Sequence, residues 1–594
     1  MFRLFLVLIV VVVCRTSALA QPLNFGNWQD EQEKRQAELA SYLKEKEVAF
    51  HWFADFPFGT DDGTPYLILR SLPLLAPDEW GEGKDFLSVV GLFRDERQQD
   101  YPLARGVGWS GMGRKASIKN PDFASFSCGA CHIGRVRKDD GNILYLDGGI
   151  NSEFNLVAYR ARVKRTLDRV LATANSTEDQ LAVVKKAILD VIDEANKKDP
   201  NFFYGGYKFG RHFDANYEKE QIRLFKEKAD SLIPKFLARM NLEVASLSEL
   251  IKKNYPGLES QMMHGFGGMA DATGVSSSFG FVVARDIMKD TEVTPDSRLP
   301  PAPGLTDFMA VWEQGKRKVR WNSDKTKLID GGGQWNGNIP LPVYRNLAAE
   351  LTMGFGPATD VRIAEFGQQL LEDLPAPVYP FEVNLELAKK GKKLFERNCA
   401  DCHRPHNGRV YKNIGTDLSR ARVVSPSIAA IARAGFTKIG HPERAIQLPP
   451  SGAQVKPFAS YDGVSLADKP ELTMRDPAEC EGYNALPLGG IWAQAPYLHS
   501  GSVPTLYHLL VPNSRPNVFV KSRLEYDKEL VGFQWKPREN ETQSKGYEFD
   551  TRIFPTLSNR GHDRNIFDSG KVYKLDWSDN LDGAKALIEY MKTF

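Results

Sequence analysis

"LELAKKGKKLFERNCADCH" (Leu385–His403) decides the reading of this chain. Its last five residues, Cys399-Ala-Asp-Cys402-His403, place two thiols three positions apart and an imidazole directly after the second. That is the C-x-x-C-H spacing of c-type haem attachment: both thiols reach one porphyrin as thioethers and the histidine ligates its iron. In the residues before it, Leu387, Ala388, Gly391, Leu394, Phe395 and Asn398 recur at three- and four-residue steps. This spacing predicts a helix with one buried face leading into the site. The chain ends in "GAKALIEYMKTF" (Gly583–Phe594), where Leu587, Met591 and Phe594 share a face. Two helices are therefore expected to cross beside the haem.

Far upstream, "FSCGACHIGR" (Phe126–Arg135) repeats the arrangement with Cys128, Cys131 and His132. The expectation is two covalently bound haem c groups, held by Cys128 and Cys131 and by Cys399 and Cys402, with His132 and His403 as proximal ligands. A redox-active dithiol or a zinc site competes with this reading. A zinc site shared by four cysteines, however, has no need of a histidine after each pair. Cys480, in "DPAECEGYN", has no evident partner and reads as a buried free thiol.

The first residues, "MFRLFLVLIVVVVCRTSALA", combine a basic start, a short apolar run and a small-residue end. They predict a secretory signal over residues 1–20, hence a periplasmic or secreted bacterial protein whose mature chain has no transmembrane segment. Some 42% apolar and 26% charged residues describe an ordinary globular chain, and a net charge of +2 gives no case for nucleic acid. The Pro-rich "DLPAPVYPFEV" (Asp373–Val383) reads as a linker. It divides an N-terminal haem c domain, 21–373, with an extension and a helical insertion, from a C-terminal cytochrome c domain, 374–594. Within the first, residues 167–258 are helical in pattern, with Ser176-Thr177-Glu178-Asp179 as a helix start. The fold class expected is mainly α with extensive irregular loops: two cytochrome c-like haem domains with an N-terminal extension.

Further stretches carry a family likeness: "LGGIWAQAPYLHSGSVPTLYHLL" (Leu488–Leu510), "FDTRIFPTLSNRGH" (Phe549–His562) and "QWNGNIPLPVYRN" (Gln334–Asn346). With the two C-x-x-C-H motifs, they make the chain resemble the di-haem cytochrome c peroxidase superfamily. The resemblance is closer to its branch of secreted di-haem oxygenases, the RoxA-type rubber oxygenases and the bacterial di-haem fatty-acid dioxygenases. It implies a reactive N-terminal haem on His132, open to O2 or H2O2, and a C-terminal haem on His403 that relays or stores electrons. It further implies His562 as the second ligand of that haem, Trp335 as a carrier between the two, and a Ca2+ near the domain interface. Read from the residues alone, Met474 and His499 compete with His562, and a large core side chain competes with a relay at Trp335. Arg345, Asn346 and Glu350 follow Trp335 without an assigned role.

Two functions follow from the resemblance. The first is oxygen insertion into an unsaturated apolar substrate, a fatty acid or polyisoprene. The alternative is reduction of H2O2 with electrons from a small redox carrier protein, which wants a distal acid–base group that no motif supplies. A plain electron-transfer protein, six-coordinate at both irons, is a third class.

Overall fold

The computed structural model describes residues 27–58, 63–81, 83–113, 120–174, 179–205, 215–254, 304–317, 335–352, 361–439, 472–521, 524–536 and 547–594, with short pieces between. The expected signal over 1–20 and most of a Gly-rich stretch at 264–281 lie outside the described residues. Helices carry the architecture, joined by long irregular segments, small antiparallel ribbons and one three-stranded sheet, so the chain is mainly α. No helix among the described residues is long and apolar enough to cross a membrane.

The N-terminal core is built around the helix Tyr66–Leu75, which is buried from Tyr66 to Pro73. A helix apolar on all sides must be covered on all sides. The cover comes from Leu156–Leu171, Gln180–Lys198 and Ala215–Asn254, whose Val163, Val184, Ile188 and Phe225 join one cluster with Tyr66 and Trp80. The helical stretch that the sequence marks as an insertion is thus continuous with this core. Ala130 and Cys131 of the first motif lie in the same cluster.

In the C-terminal half the expected helix pair forms. Leu385–Asn398 buries Ala388, Gly391, Phe395 and Asn398, and packs on Leu581–Met591, which buries Leu587 and Met591. Asn384 caps the first helix by accepting from Leu387 N at 3.1 Å, and Asn580 caps the second by accepting from Gly583 N at 2.9 Å. The crossing depends on Gly391. A Cβ there would overlap the carbonyl of Ala586 and press on Tyr590. Gly391→Ala is therefore expected to destabilise by about 3 kcal/mol through overpacking. Urea unfolding checks this, and an unchanged midpoint would show that the crossing relaxes.

A second core draws on both halves, with Phe50, Trp312, Phe395 and Trp492 in one cluster. Nearby, Lys521 Nζ meets Asp307 Oδ2 at 3.0 Å, with both side chains at most 2% exposed. The two halves are therefore joined by an apolar core and by a buried ion pair.

Candidate functional site

The helix Leu385–Asn398 delivers the second motif. Cys399 N donates to Phe395 O at 2.8 Å, and Ala400–His403 then forms a single turn with His403 N on Cys399 O at 3.0 Å. His403 Nδ1 is 2.7 Å from the carbonyl of Leu486. Donation there fixes the tautomer and leaves Nε2 as a ligand atom.

The motif faces a cavity with about 1570 Å³ of space free of protein atoms, its open mouth included. Cys399, Cys402 and His403 line it together with Leu486, Ile491, Leu510, Trp577 and Met591. His562 enters from the far side. Its backbone is left-handed (φ 52°), its N–H donates to Ile414 O at 2.9 Å, and the neighbouring Gly561 (φ 124°) packs on Thr416. The rings of His403 and His562 lie 6.4 Å apart between centroids and within 29° of parallel. A metal held between two imidazoles at about 2.0–2.1 Å per bond separates the ring centroids by about 6 Å. The pair has the spacing of two axial ligands. Burial holds both imidazoles neutral, the ligand form, with His562 pushed down to about 3 by burial, His403 and Arg515.

Polar atoms around this cavity lack partners. His562 Nδ1 and Thr416 Oγ1 are buried without a hydrogen bond among the described residues, as are Nε and Nη1 of Arg420. Orphaned buried polar atoms on this scale imply a bound group. His499 stacks on Tyr483 at 5.3 Å, and burial, opposed by Asp417 and reinforced by Arg420, pushes it down to about 4. Arg420, pushed down to about 10 by burial with Tyr483 opposing, has no carboxylate partner. An apolar slot walled by two facing imidazoles and two thiols, with the Arg420 guanidinium near the lining residues Tyr483 and His499, fits haem, which brings carboxylates to its own edge. Met474 is not part of it: that side chain is buried in another cluster with Leu341 and Phe436.

The first motif is clamped differently. Gly129–His132 is a single turn, in which a Cβ on Gly129 would overlap Ala54 O and one on Gly106 would overlap Ala130. Asn151 donates to Ala130 O at 2.9 Å and to Gly91 O at 3.0 Å. Burial pushes His132 down to about 4, opposed by the backbone of Met309 and Gly149. Phe308 stands edge-on to His132 at 6.4 Å and also lines the cavity of the second motif, so one aromatic side chain touches both places. Trp335, half-buried with φ 39°, lines that cavity too, and its carbonyl accepts from Asn484 N at 2.6 Å.

Glu350 is 1% exposed and close enough to Cys128 to raise its thiol, after burial itself. Sequence reasoning gave it no role, because a carboxylate in a helix (Pro342–Thr352) carries no mark of the side it faces. Arg345 and Asn346 hold local structure, through Gln314 Oε1 at 2.9 Å and Ala364 O at 2.9 Å respectively.

All four motif thiols are raised by burial, Cys131 and Cys399 to about 12. Reactive dithiols and zinc thiolates need the opposite shift. Among the described residues no three His, Cys, Asp or Glu side chains gather to hold a metal ion, so they form no four-cysteine zinc site. Cys480 is a buried thiol, pushed up to about 11 by burial.

Comparison with known proteins adds two family models. A Y4iN-like domain matches residues 48–132, ending on His132. A RoxA-like, cytochrome c-like domain matches residues 482–520, the wall that carries Leu486 and His499. The uncharacterized protein y4iM of Sinorhizobium fredii (strain NBRC 101917 / NGR234) is 31% identical over 456 residues, covering 70% of this chain and 99% of y4iM. From the same organism, y4iJ is 28% identical over 258 residues, covering 36% of this chain and 39% of y4iJ. Likewise y4iN is 38% identical over 72 residues, covering 12% of this chain and 34% of y4iN.

Proposed function

Because the chain belongs to the same family as y4iM, a relative without an assigned activity, we propose its function from its own site: an exported di-haem c-type oxidoreductase. The observation that carries this is the facing pair His403 and His562, 6.4 Å apart, in a cavity walled by Cys399 and Cys402. Cys128, Cys131, Cys399 and Cys402 would form the thioethers, and His132, His403 and His562 would ligate iron. When bound, haem supplies a one-electron iron couple and, where an axial face is free, a place for O2 or peroxide.

The chain's own residues set how that couple is used. His403 and His562 would both be taken up as iron ligands, which would leave the C-terminal site electron transfer and no substrate chemistry. Leu486 orients His403 through its carbonyl. The apolar wall would exclude water, the Arg420 guanidinium would compensate the charge of the carboxylate edge, and the neutral His499 imidazole could donate a hydrogen bond to it. Phe308, edge-on to His132 and on the wall of the His403 cavity, would shorten the path for an electron, and Trp335, on the same cavity wall, would extend that path. His132 serves the reactive site, in the division into 21–373 and 374–594 read from the sequence. The RoxA-like match favours O2 insertion into an unsaturated apolar substrate, a fatty acid or polyisoprene, as the reaction.

One observation favours H2O2 as the oxidant instead. Glu350 is a buried carboxyl beside Cys128, able to take a proton from peroxide and return it to the departing oxygen.

Mass spectrometry of the mature chain is expected to show two covalent haems. Oxygen uptake on adding an unsaturated fatty acid or polyisoprene latex, without peroxide or reductant, then supports the oxygenase. No uptake, with turnover of H2O2 by a reduced carrier that is lost in Glu350→Gln, establishes the peroxidase. A chain without covalent haem defeats both.

A further inference from the structure

The two most exposed large apolar side chains among the described residues are Phe567, 69% exposed, and Val572, 60% exposed. They are not scattered. Ile566–Asp568 and Lys571–Tyr573 form an antiparallel hairpin in which Phe567 and Val572 are direct cross-strand partners. The two-residue turn, Ser569-Gly570, takes left-handed backbone at both positions (φ 50° and 79°), the form that fits a tight hairpin. Strand alternation sends Ile566 and Tyr573 the other way, where both are about 6% exposed and line the His403 cavity. The hairpin is thus a wall one residue thick, with the electron-transfer cavity on one side and an apolar pair in water on the other.

That wall is anchored to the motif itself. Lys571 Nζ and Tyr573 OH both donate to Asp401, the residue before Cys402, at 2.9 and 3.0 Å. Arg409 holds Asp568 with two bonds of 2.5 Å and lies 4.9 Å over the ring of Tyr411, another cavity residue. The segments that frame the hairpin, 400–412 and 560–574, carry seven basic and three acidic side chains. Among the basic ones Arg409, Lys412, Arg560 and Arg564 are each at least half exposed. Asp568, Glu481 and Asp563 pair with these four, so the rim is mixed but net positive, and an exposed apolar pair inside such a rim has the make-up of a protein contact.

We propose that this hairpin is the docking surface for a small acidic redox-carrier protein, with Phe567 and Val572 as the apolar centre and the basic rim as the steering field. The proposal rests on the reading of His403 and His562 as haem ligands. In each encounter one electron passes: the carrier is oxidised and the C-terminal iron reduced, or the reverse, with no proton or bond change required of the surface. Complementary charge raises the association rate and makes it fall with salt. A small apolar centre suits an encounter that must also dissociate.

The test uses the full-length holoprotein, reduced with dithionite and mixed by stopped flow with an oxidised acidic plastocyanin or an oxidised basic mitochondrial cytochrome c. The acidic carrier is expected to react at least tenfold faster at low salt and to lose that advantage as salt rises. Phe567→Ser with Val572→Ser is expected to cut the acidic-carrier rate at least tenfold and leave the haem spectrum unchanged. Arg564→Glu, on the rim, is expected to flatten the salt dependence. Equal rates for both carriers, or a double variant within twofold of the parent, would overturn the proposal. A chain without covalent haem is seen before any rate is measured, so failure of the haem reading is distinguished from failure of the docking surface.

Discussion

His562→Ala is expected to leave the chain folded, keep both haems covalently attached, and change the spectrum of one of them. The ring of His562 contributes no hydrogen bond that its loss would break, since Nδ1 is buried without a partner. The loop is held instead through its backbone, with His562 N donating to Ile414 O and the Ser502 hydroxyl donating to Ser558 O, each at 2.9 Å. Removing the imidazole frees the face opposite His403, so carbon monoxide should bind one more haem per chain in the reduced variant than in the parent. Two controls sharpen the result. Met474→Leu should leave the spectrum unaltered, because that thioether is buried away from the cavity. His499→Ala should keep the six-coordinate spectrum while altering the vibrational signature of the haem carboxylates. If His562→Ala leaves the spectrum as it was, His562 is not the ligand. His499, another imidazole on this cavity, then takes its place.

The parts of this site that could be read in the sequence are the local ones. The helix into Cys399, its Gly391 contact face and the returning C-terminal helix are written in three- and four-residue spacing, and they form as read. His562 was legible only through resemblance. What fits it to face His403 is a left-handed backbone and a bond to Ile414, some 150 residues away, and neither leaves a periodic trace. His499 and Met474 looked alike as candidates because a lone ligand-type side chain says nothing of the direction in which it is buried. The helices between Leu156 and Asn254 were legible as helices, yet not as the cover of Tyr66–Leu75, since that requires knowing which apolar faces meet. Glu350 was hidden for the same reason. The exposed pair Phe567 and Val572 needed the hairpin register, which sets both side chains on the outer face.

The same limit hides the contact whose loss is expected to cost most in stability. Asp307 and Lys521 are 214 residues apart and neither sits in a motif, yet they meet at 3.0 Å in the interior. The surroundings complete the pair: Asp307 Oδ1 accepts from Phe308 N at 2.9 Å, Lys521 donates to Ser500 O at 3.2 Å, and Lys521 Nζ lies 4.7 Å over the ring of Phe549. Burial opposes both charges, raising the Asp307 carboxyl and lowering the Lys521 ammonium from their ordinary values, so each is tolerated through the other. Lys521→Met leaves an aspartate sealed away from water and is expected to destabilise by about 3–5 kcal/mol. Asp307→Asn strands the ammonium and should cost a similar amount. The double variant, Lys521→Met with Asp307→Leu, removes both desolvation penalties and should recover most of the loss. Asp307 N also donates to His499 O at 2.6 Å, so the pair sits directly behind the cavity wall. Each single variant should therefore loosen the haem environment as well, read as a broadened Soret band before global unfolding in urea. Additive single and double variants would show the two charges to be uncoupled, and a sharp Soret band throughout would show the pair to be a bystander to the site.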